Sequence, residues 1–325
     1  MTSALTPALR SSQRIVSLLP SATEIVCRVG GRESLVGVSH ECDFPAGVEG
    51  LPSLTRPRFE MPRSSDAIDR AVQETLRDAL AVYEVEVDLL RRLEPDLVVT
   101  QDLCDVCAVS LSDVTSALRA LSREDAQIVS LRPTLLADVW ADVRRVGEAL
   151  GRAEDGAGAA AELEARCRAI AERAHRLSTR PSVLSIEWLS PIMVGGTWMP
   201  ELIELAGGTP LVTQPGQHAP TLDMAALEAL DPEVVLIKPC GFELARTFEE
   251  LKLLASNLPW RRWRAVRGGR VYVADGNAFF NRPGPRLVES LEILAACVHP
   301  QEFSDFRERH AGSFVAVDSN LATSP

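Results

Sequence analysis

Two stretches of this chain carry the same punctuation. Leu93-Glu94-Pro95-Asp96 leads into Leu97-Val98-Val99-Thr100, and Leu230-Asp231-Pro232-Glu233 leads into Val234-Val235-Leu236-Ile237. In each, a proline halts a helical pattern and a short apolar run follows that reads as a buried strand. The likeness extends outwards. Ile15-Val16-Ser17-Leu18-Leu19 is paralleled by Pro181-Ser182-Val183-Leu184-Ser185-Ile186, and Gln127 to Leu131 by Gly268 to Val273. A repeat on this scale implies two similarly folded lobes, and strands alternating with helices imply a mostly parallel sheet in each.

Between the two halves, Leu136, Val139, Val143, Val146 and Leu150 recur at steps of three and four, as do Leu163, Cys167, Ile170, Ala174 and Leu177. These are two amphipathic helices, with breaks expected at Gly147, Gly151 and Gly156-Ala157-Gly158. The second, from about Ala157 to Leu177, would be roughly 30 Å long and could cross from one lobe to the other. The expected division is a flexible start (1–13), an amino-terminal α/β lobe (14–133), a helical connection (134–180), a carboxyl-terminal α/β lobe (181–300) and a tail (301–325). The tail after His310 is expected to be mobile.

In open α/β sheets, ligands bind beyond the carboxyl ends of the strands. Those ends in the first lobe carry Ser39-His40-Glu41-Cys42-Asp43 and, after Thr100-Gln101, Cys104 and Cys107. In the second they carry Glu187-Trp188, Lys238-Pro239-Cys240-Gly241 and Asp275 to Asn281. Facing lobes would oppose these sets across a cleft. His40, Cys42, Cys104 and Cys107 then offer one imidazole and three thiols, a usable tetrahedral shell for zinc if they converge, and otherwise residues that line the cleft or pack. Glu187, Trp188, Trp198, His218, Lys238, Phe279 and Phe280 are expected on the opposite wall. Taken singly, Trp198, Phe279 and Phe280 also suit an ordinary core. Cys27, Cys167 and Cys297 fall at apolar helix positions as core thiols. His175, His299 and His310 are expected to be solvated.

Charge and motifs exclude several classes. Lys+Arg 34 against Asp+Glu 45 gives −11, which argues against nucleic acid as the main partner. The basic run Arg261 to Arg270, interleaved with Trp260 and Trp263, reads as a solvated turn beside an aromatic. There is no Gly-x-Ser-x-Gly, phosphate loop or His-Glu-x-x-His, so no enzyme is expected. No segment approaches the roughly 18 apolar residues of a membrane span, so membrane insertion is not expected. The start as written has no apolar leader, and seven cysteines without scaffold spacing suit a reducing compartment; a cytoplasmic protein is expected, or a periplasmic or membrane-anchored one if the true start lies upstream.

Four stretches resemble the vitamin B12-binding members of the helical-backbone class of ABC-transporter solute-binding proteins. They are Arg14 to Glu24, Val36-Gly37-Val38-Ser39 with Asp43-Phe44-Pro45, Leu93 to Val98, and Leu205-Ala206-Gly207-Gly208. The similarity spans about Arg14 to Val298, and iron-chelate, haem and metal-binding relatives share most of it. The resemblance implies two lobes joined by one long helix and a cobalamin, or similar metal chelate, held in the cleft, where aromatic rings suit a flat corrin. It also implies docking on a permease through one acid per lobe. Asp88 stands where the first is expected, whereas Met224-Ala225-Ala226 supplies none in the second lobe. The thiols and His40 lie outside that pattern, so the alternative expectation is a cytoplasmic zinc, iron or thiol-redox protein built on His40, Cys42, Cys104 and Cys107.

Overall fold

The structure, a computed structural model, describes residues 13–78, 82–101, 116, 126–254 and 262–317. The first half runs β1 (Ile15–Ser17), α1 (Pro20–Arg28), β2 (Leu35–Gly37), β3 (Thr55–Pro57), α2 (Ser65–Asp78), β4 (Tyr83–Val85), α3 (Val87–Leu93), β5 (Leu97–Gln101) and β6 (Gln127–Leu131). Helices α4 (Leu136–Ala149) and α5 (Ala153–His175) follow. The second half runs β7 (Ser182–Leu189), β8 (Ile192–Val194), α6 (Met199–Leu205), β9 (Thr209–Pro210), α7 (Met224–Ala229), β10 (Val234–Ile237), α8 (Leu244–Leu254), α9 (Arg264–Arg267) and β11 (Val271–Ala274). It closes with α10 (Leu287–Val298), α11 (Ser304–Arg309) and β12 (Phe314–Ala316).

The repeat read in the sequence is a repeat of topology. The first sheet has the order β2-β1-β5-β6, with all pairs parallel. In the second, β9-β7-β10-β11 are likewise parallel and in the equivalent order. Register agrees as well: Ile15 to Ser17 lie opposite Leu97 to Val99, as Val183 to Ser185 lie opposite Val234 to Leu236. Each sheet thus has its switch in strand order at its first strand, where a crevice opens at the carboxyl edge. Among the described residues, the second sheet alone is extended at its edges, by β8 antiparallel to β7 and β12 antiparallel to β11. Residues 311–317 therefore belong to the second lobe and not to a mobile tail.

Local chemistry explains several boundaries. Pro20 occupies the first turn of α1, where its missing N–H costs nothing. Glu94 ends α3 in the left-handed region at φ 41°, and Pro95 prevents continuation. Asp138 folds back at the start of α4 and accepts from the backbone N–H groups of Thr134 (3.0 Å) and Leu135 (2.9 Å).

The long helix begins earlier than the apolar spacing suggests, because Gly156 and Gly158 lie inside it. Gly147 and Gly156 are likewise interior to α4 and α5, and only Gly151, at φ 68°, is a true break. The two interior glycines are where the helices touch: a Cβ on Gly147 would stand 2.7 Å from the Cα of Gly156. The crossing is too close for any side chain at that point. Beyond it, Leu163, Cys167, Ile170 and Ala174 of α5 share one apolar core with Ile15, Leu97 and Val129 of the first sheet and Val183, Val234 and Leu236 of the second. Cys167 and Cys297 are core thiols, as expected.

Candidate functional site

The carboxyl ends of the two sheets face one another, and the lobes meet there through charge and aromatic contacts. From the first lobe, the loop after β2 brings Glu41, Asp43 and Phe44. From the second, the loop after β11 brings Asn277, Arg282 and Arg286. The Arg282 guanidinium grips Asp43 with both nitrogens, Nη2 to Oδ2 being 2.9 Å. Asn277 adds a bond to Asp43 Oδ2 at 2.8 Å and accepts from Arg282 at 2.9 Å. Against the cost of burial, these bonds hold the Asp43 carboxyl below its usual range. Arg286 donates to both oxygens of Glu24 in α1 (3.0 and 2.6 Å) and lies over the Phe44 ring at 4.2 Å. Glu24 is almost wholly buried, and burial raises its pKa despite Arg286 and Arg282.

A second junction lies on α8. Glu250 accepts from the backbone N–H of Ser65 at 2.7 Å and from its hydroxyl, at the start of α2. Arg246 donates to the carbonyls of Pro62 and Arg63 and lies over Phe242 at 3.8 Å. Between these junctions Phe242 and Trp188 pack edge to face, with centroids 5.3 Å apart, against Val16, Leu18, Leu54 and Tyr83 of the first lobe.

The expected site residues divide. His40 is exposed at the end of β2, with its Nδ1 2.7 Å from Thr55 Oγ1 and its ring 5.0 Å from that of Tyr83. Loss of water around the ring lowers its pKa, and the neighbouring Glu41 partly offsets this. Glu187 and Trp188 are half-buried at the end of β7, and Trp188 stands at the junction. Lys238 is not on a wall. It is fully buried, with Nζ 3.0 Å from Glu187 Oε2 and 2.8 Å from Asn281 Oδ1, so its charge is spent beneath the surface.

Trp198 and Phe280 lie in the core: Trp198 Nε1 donates to the Phe280 carbonyl at 2.8 Å, and the Phe280 N–H donates to Ser290 Oγ at 2.8 Å. These two bonds hold Phe280 at φ 69°, a strained conformation for a large side chain. Phe279 is half-buried between Arg286 and His310. His218 is exposed in its loop.

The thiol and histidine expectations also change. Cys42 turns inward among Val38 and Val48, sits 3.1 Å from Thr23 Oγ1, and is pushed up to about 11 by burial. Cys104 and Cys107 lie outside the described residues. Among the described residues no three His, Cys, Asp or Glu side chains are grouped to hold a metal ion. His299 and His310 are buried rather than solvated: His299 Nε2 lies 3.1 Å from Gly207 O, and His310 Nε2 lies 2.7 Å from Glu292 Oε2. Of the basic run, Trp263 is fully buried while Arg264 pairs with Asp231 at 2.9 Å.

Sequence reasoning missed Arg282, Phe242 and Glu250 as cross-lobe residues, whereas Asn277 and Cys240 lie in the strand-end stretches that it set across the cleft. Cys240 is exposed at the end of β10, with Glu41 of the first lobe and Glu187 and Lys238 of the second among the charges around it. Asp88 is exposed in the first turn of α3, 3.0 Å from Arg91, and Ala225 is its exposed counterpart in α7.

Two lobes with parallel sheets, one helical bridge and facing strand ends define a solute-binding architecture, and the chain belongs to the periplasmic binding protein family, whose pattern it fits over residues 15–278. It is 22% identical over 302 residues to a Bacillus subtilis (strain 168) ABC transporter substrate-binding lipoprotein, covering 91% of this chain and 83% of that protein. It is 24% identical over 290 residues to a cobalamin-binding protein of Halobacterium salinarum, covering 88% of this chain and 69% of that protein. Among solved structures, the periplasmic heme-binding protein of Pseudomonas aeruginosa superposes with a TM-score of 0.67 at 23% identity, over 89% of this chain and 93% of that one. The periplasmic vitamin B12-binding protein of Vibrio cholerae gives 0.61 at 18% identity, over 91% and 98%. At these identities the superpositions establish the fold.

The chain is therefore a solute-binding protein of the kind that serves ABC transporters, with a small-molecule ligand and a permease as the partners its family implies. No described helix is long and apolar enough to cross a membrane. The cytoplasmic location expected from the thiols finds no support in these relatives, one of which is named a lipoprotein.

Proposed function

We propose that the chain binds a corrinoid, or a similar flat metal chelate, at the junction of its two lobes and presents it to an ABC permease. The observation that carries this reading is the make-up of the junction. Trp188, half-buried at the junction, offers a ring face for a macrocycle, Tyr83 and Phe242 are buried in the cluster against which it packs, and Asn277, Arg282 and Glu41 lie at the same junction to meet amide or carboxylate substituents at the ring's edge. Entry of the ring requires the Asp43–Arg282 contact to part, since it spans the junction. The likeness to a cobalamin-binding protein supports the corrinoid over other chelates. Docking on the permease falls to Asp88 in the first lobe, with no acid at Ala225 to match it, so the second lobe would be held by other contacts.

The test is titration of purified protein with cyanocobalamin and with haemin, followed by calorimetry. Saturable binding of cyanocobalamin, weakened at least about tenfold in Trp188→Ala, is the expected result. Haemin binding without corrinoid binding would move the assignment to a haem, and binding of neither at high micromolar concentration would remove it. Among the described residues, Cys42 is buried as a neutral thiol, and Cys104 and Cys107 lie outside them, so the zinc or redox alternative rests on the sequence alone.

A further inference from the structure

The hydrogen bonds around Thr55 fix which nitrogen of His40 carries the proton. Thr55 Oγ1 has one hydrogen and two lone pairs. It donates the hydrogen to Ser39 Oγ at 2.9 Å. One lone pair accepts the backbone N–H of His40 at 3.0 Å. The remaining lone pair faces His40 Nδ1 at 2.7 Å, so Nδ1 must be the donor. The proton of the neutral ring is thereby placed on Nδ1, and the lone pair of Nε2 is left pointing away from Thr55. Nε2 has no hydrogen-bond partner among the described residues, and the ring is exposed.

Thr55 and Ser39 are both buried, so the support beneath the ring is rigid, and Tyr83 packs against the ring edge. Tyr83 in turn donates to Glu41 Oε1 at 2.9 Å, and the Glu41 carbonyl accepts from Arg282 of the second lobe at 3.4 Å. His40 therefore stands one residue from the point where the lobes meet. A histidine with its Nδ1–H anchored on an oxygen, held neutral, and its Nε2 free has the arrangement by which proteins prepare an imidazole to ligate a metal.

We propose that His40 is an axial donor: its Nε2 takes an exchangeable coordination position on the metal of the bound chelate, and Thr55 is the residue that positions it. This rests on the reading of the junction as a chelate site. The step is a ligand exchange. A metal–water bond breaks, a metal–nitrogen bond forms from the Nε2 lone pair, and water leaves, with no proton or electron transferred. A chelate whose axial positions are filled by stronger ligands gains nothing from His40, so the site discriminates by the state of the metal and not only by the shape of the ring.

The experiment compares aquocobalamin, whose upper position holds exchangeable water, with cyanocobalamin, whose upper position is blocked. Visible spectra are recorded for the wild type, His40→Ala and Thr55→Val. The expected result is a band shift on binding aquocobalamin, none with cyanocobalamin, no shift in His40→Ala, and a slower or weaker shift in Thr55→Val. Affinity for aquocobalamin in His40→Ala should fall by about tenfold or more, with that for cyanocobalamin little changed. If only haemin binds, a nitrogen-ligated spectrum lost in His40→Ala supports the same donor role with haem as the source. Binding without a band shift, or a shift that survives in His40→Ala, overturns the donor role and leaves the chelate site standing. Failure of every chelate to bind overturns both.

Discussion

Glu250 of the second lobe caps the first turn of α2 in the first, through Ser65. The backbone N–H bond of 2.7 Å and the hydroxyl bond meet on one buried carboxylate oxygen. A helix start has N–H groups without intrahelical partners and a partial positive charge, so a carboxylate is suited to it. Here the carboxylate comes from 185 residues further along the chain, and α2 is completed only when the lobes are together.

Glu250→Ala should therefore lower stability by about 1–2 kcal/mol, the usual worth of a lost cap. The effect should be local as well as global. Amide exchange in residues 65–68 should accelerate more than in β5 or β10, which hydrogen-exchange mass spectrometry would show. Equal acceleration throughout would mean that the contact does not set the order of α2.

Glu292 gives a pH dependence. Its carboxylate is buried yet held down to about 2 by bonds from His310, Arg166 and Arg309, which outweigh the burial that would raise it. Unfolded, it titrates near 4.5. The folded pKa is the lower, so the stability it contributes is complete above about 4.5 and is lost as pH falls through about 2, in total up to about 3 kcal/mol. Glu292→Gln should be markedly less stable than wild type at pH 7, and the difference should narrow steadily in urea titrations below pH 4.

Asp142 behaves oppositely. Burial raises it to about 6 against the pull of Arg145, and its Oδ2 has no hydrogen-bond partner. Its folded pKa lies above the unfolded 3.8, so stability declines as pH rises from about 4 through about 6. Asp142→Asn should remove that decline and be more stable than wild type at pH 7 by about 1–2 kcal/mol, with little difference at pH 4. Thermal unfolding at the two pH values decides it.

Much of the fold was legible because its signals are local. Proline after Glu94 and Asp231, and the apolar runs that follow them, mark β5 and β10 without reference to anything distant. The position of His40 at a strand end was readable for the same reason. What failed was whatever depends on approach. Gly147 and Gly156 look like helix breaks in one dimension and are a helix crossing in three. Trp198 and Phe280 have the composition of a cleft wall, but their polar atoms are used on the core side. Arg282 and Asp43 are 239 residues apart, and no periodicity announces an ion pair of that span. The edge strands β8, β9 and β12 are too short to stand out from the turns that flank them.

The core that α5 shares with both sheets bears on how the molecule comes apart. Two lobes of repeated topology suggest two independent folding units, each with its own melting temperature. Here a single apolar interior runs from Ile15 and Leu97 through Leu163 and Ile170 to Val183 and Leu236, so neither half can unfold without baring surface that belongs to the other. The chain should melt as one cooperative unit, with a calorimetric enthalpy equal to the van't Hoff value, and a fragment ending between the lobes should not fold.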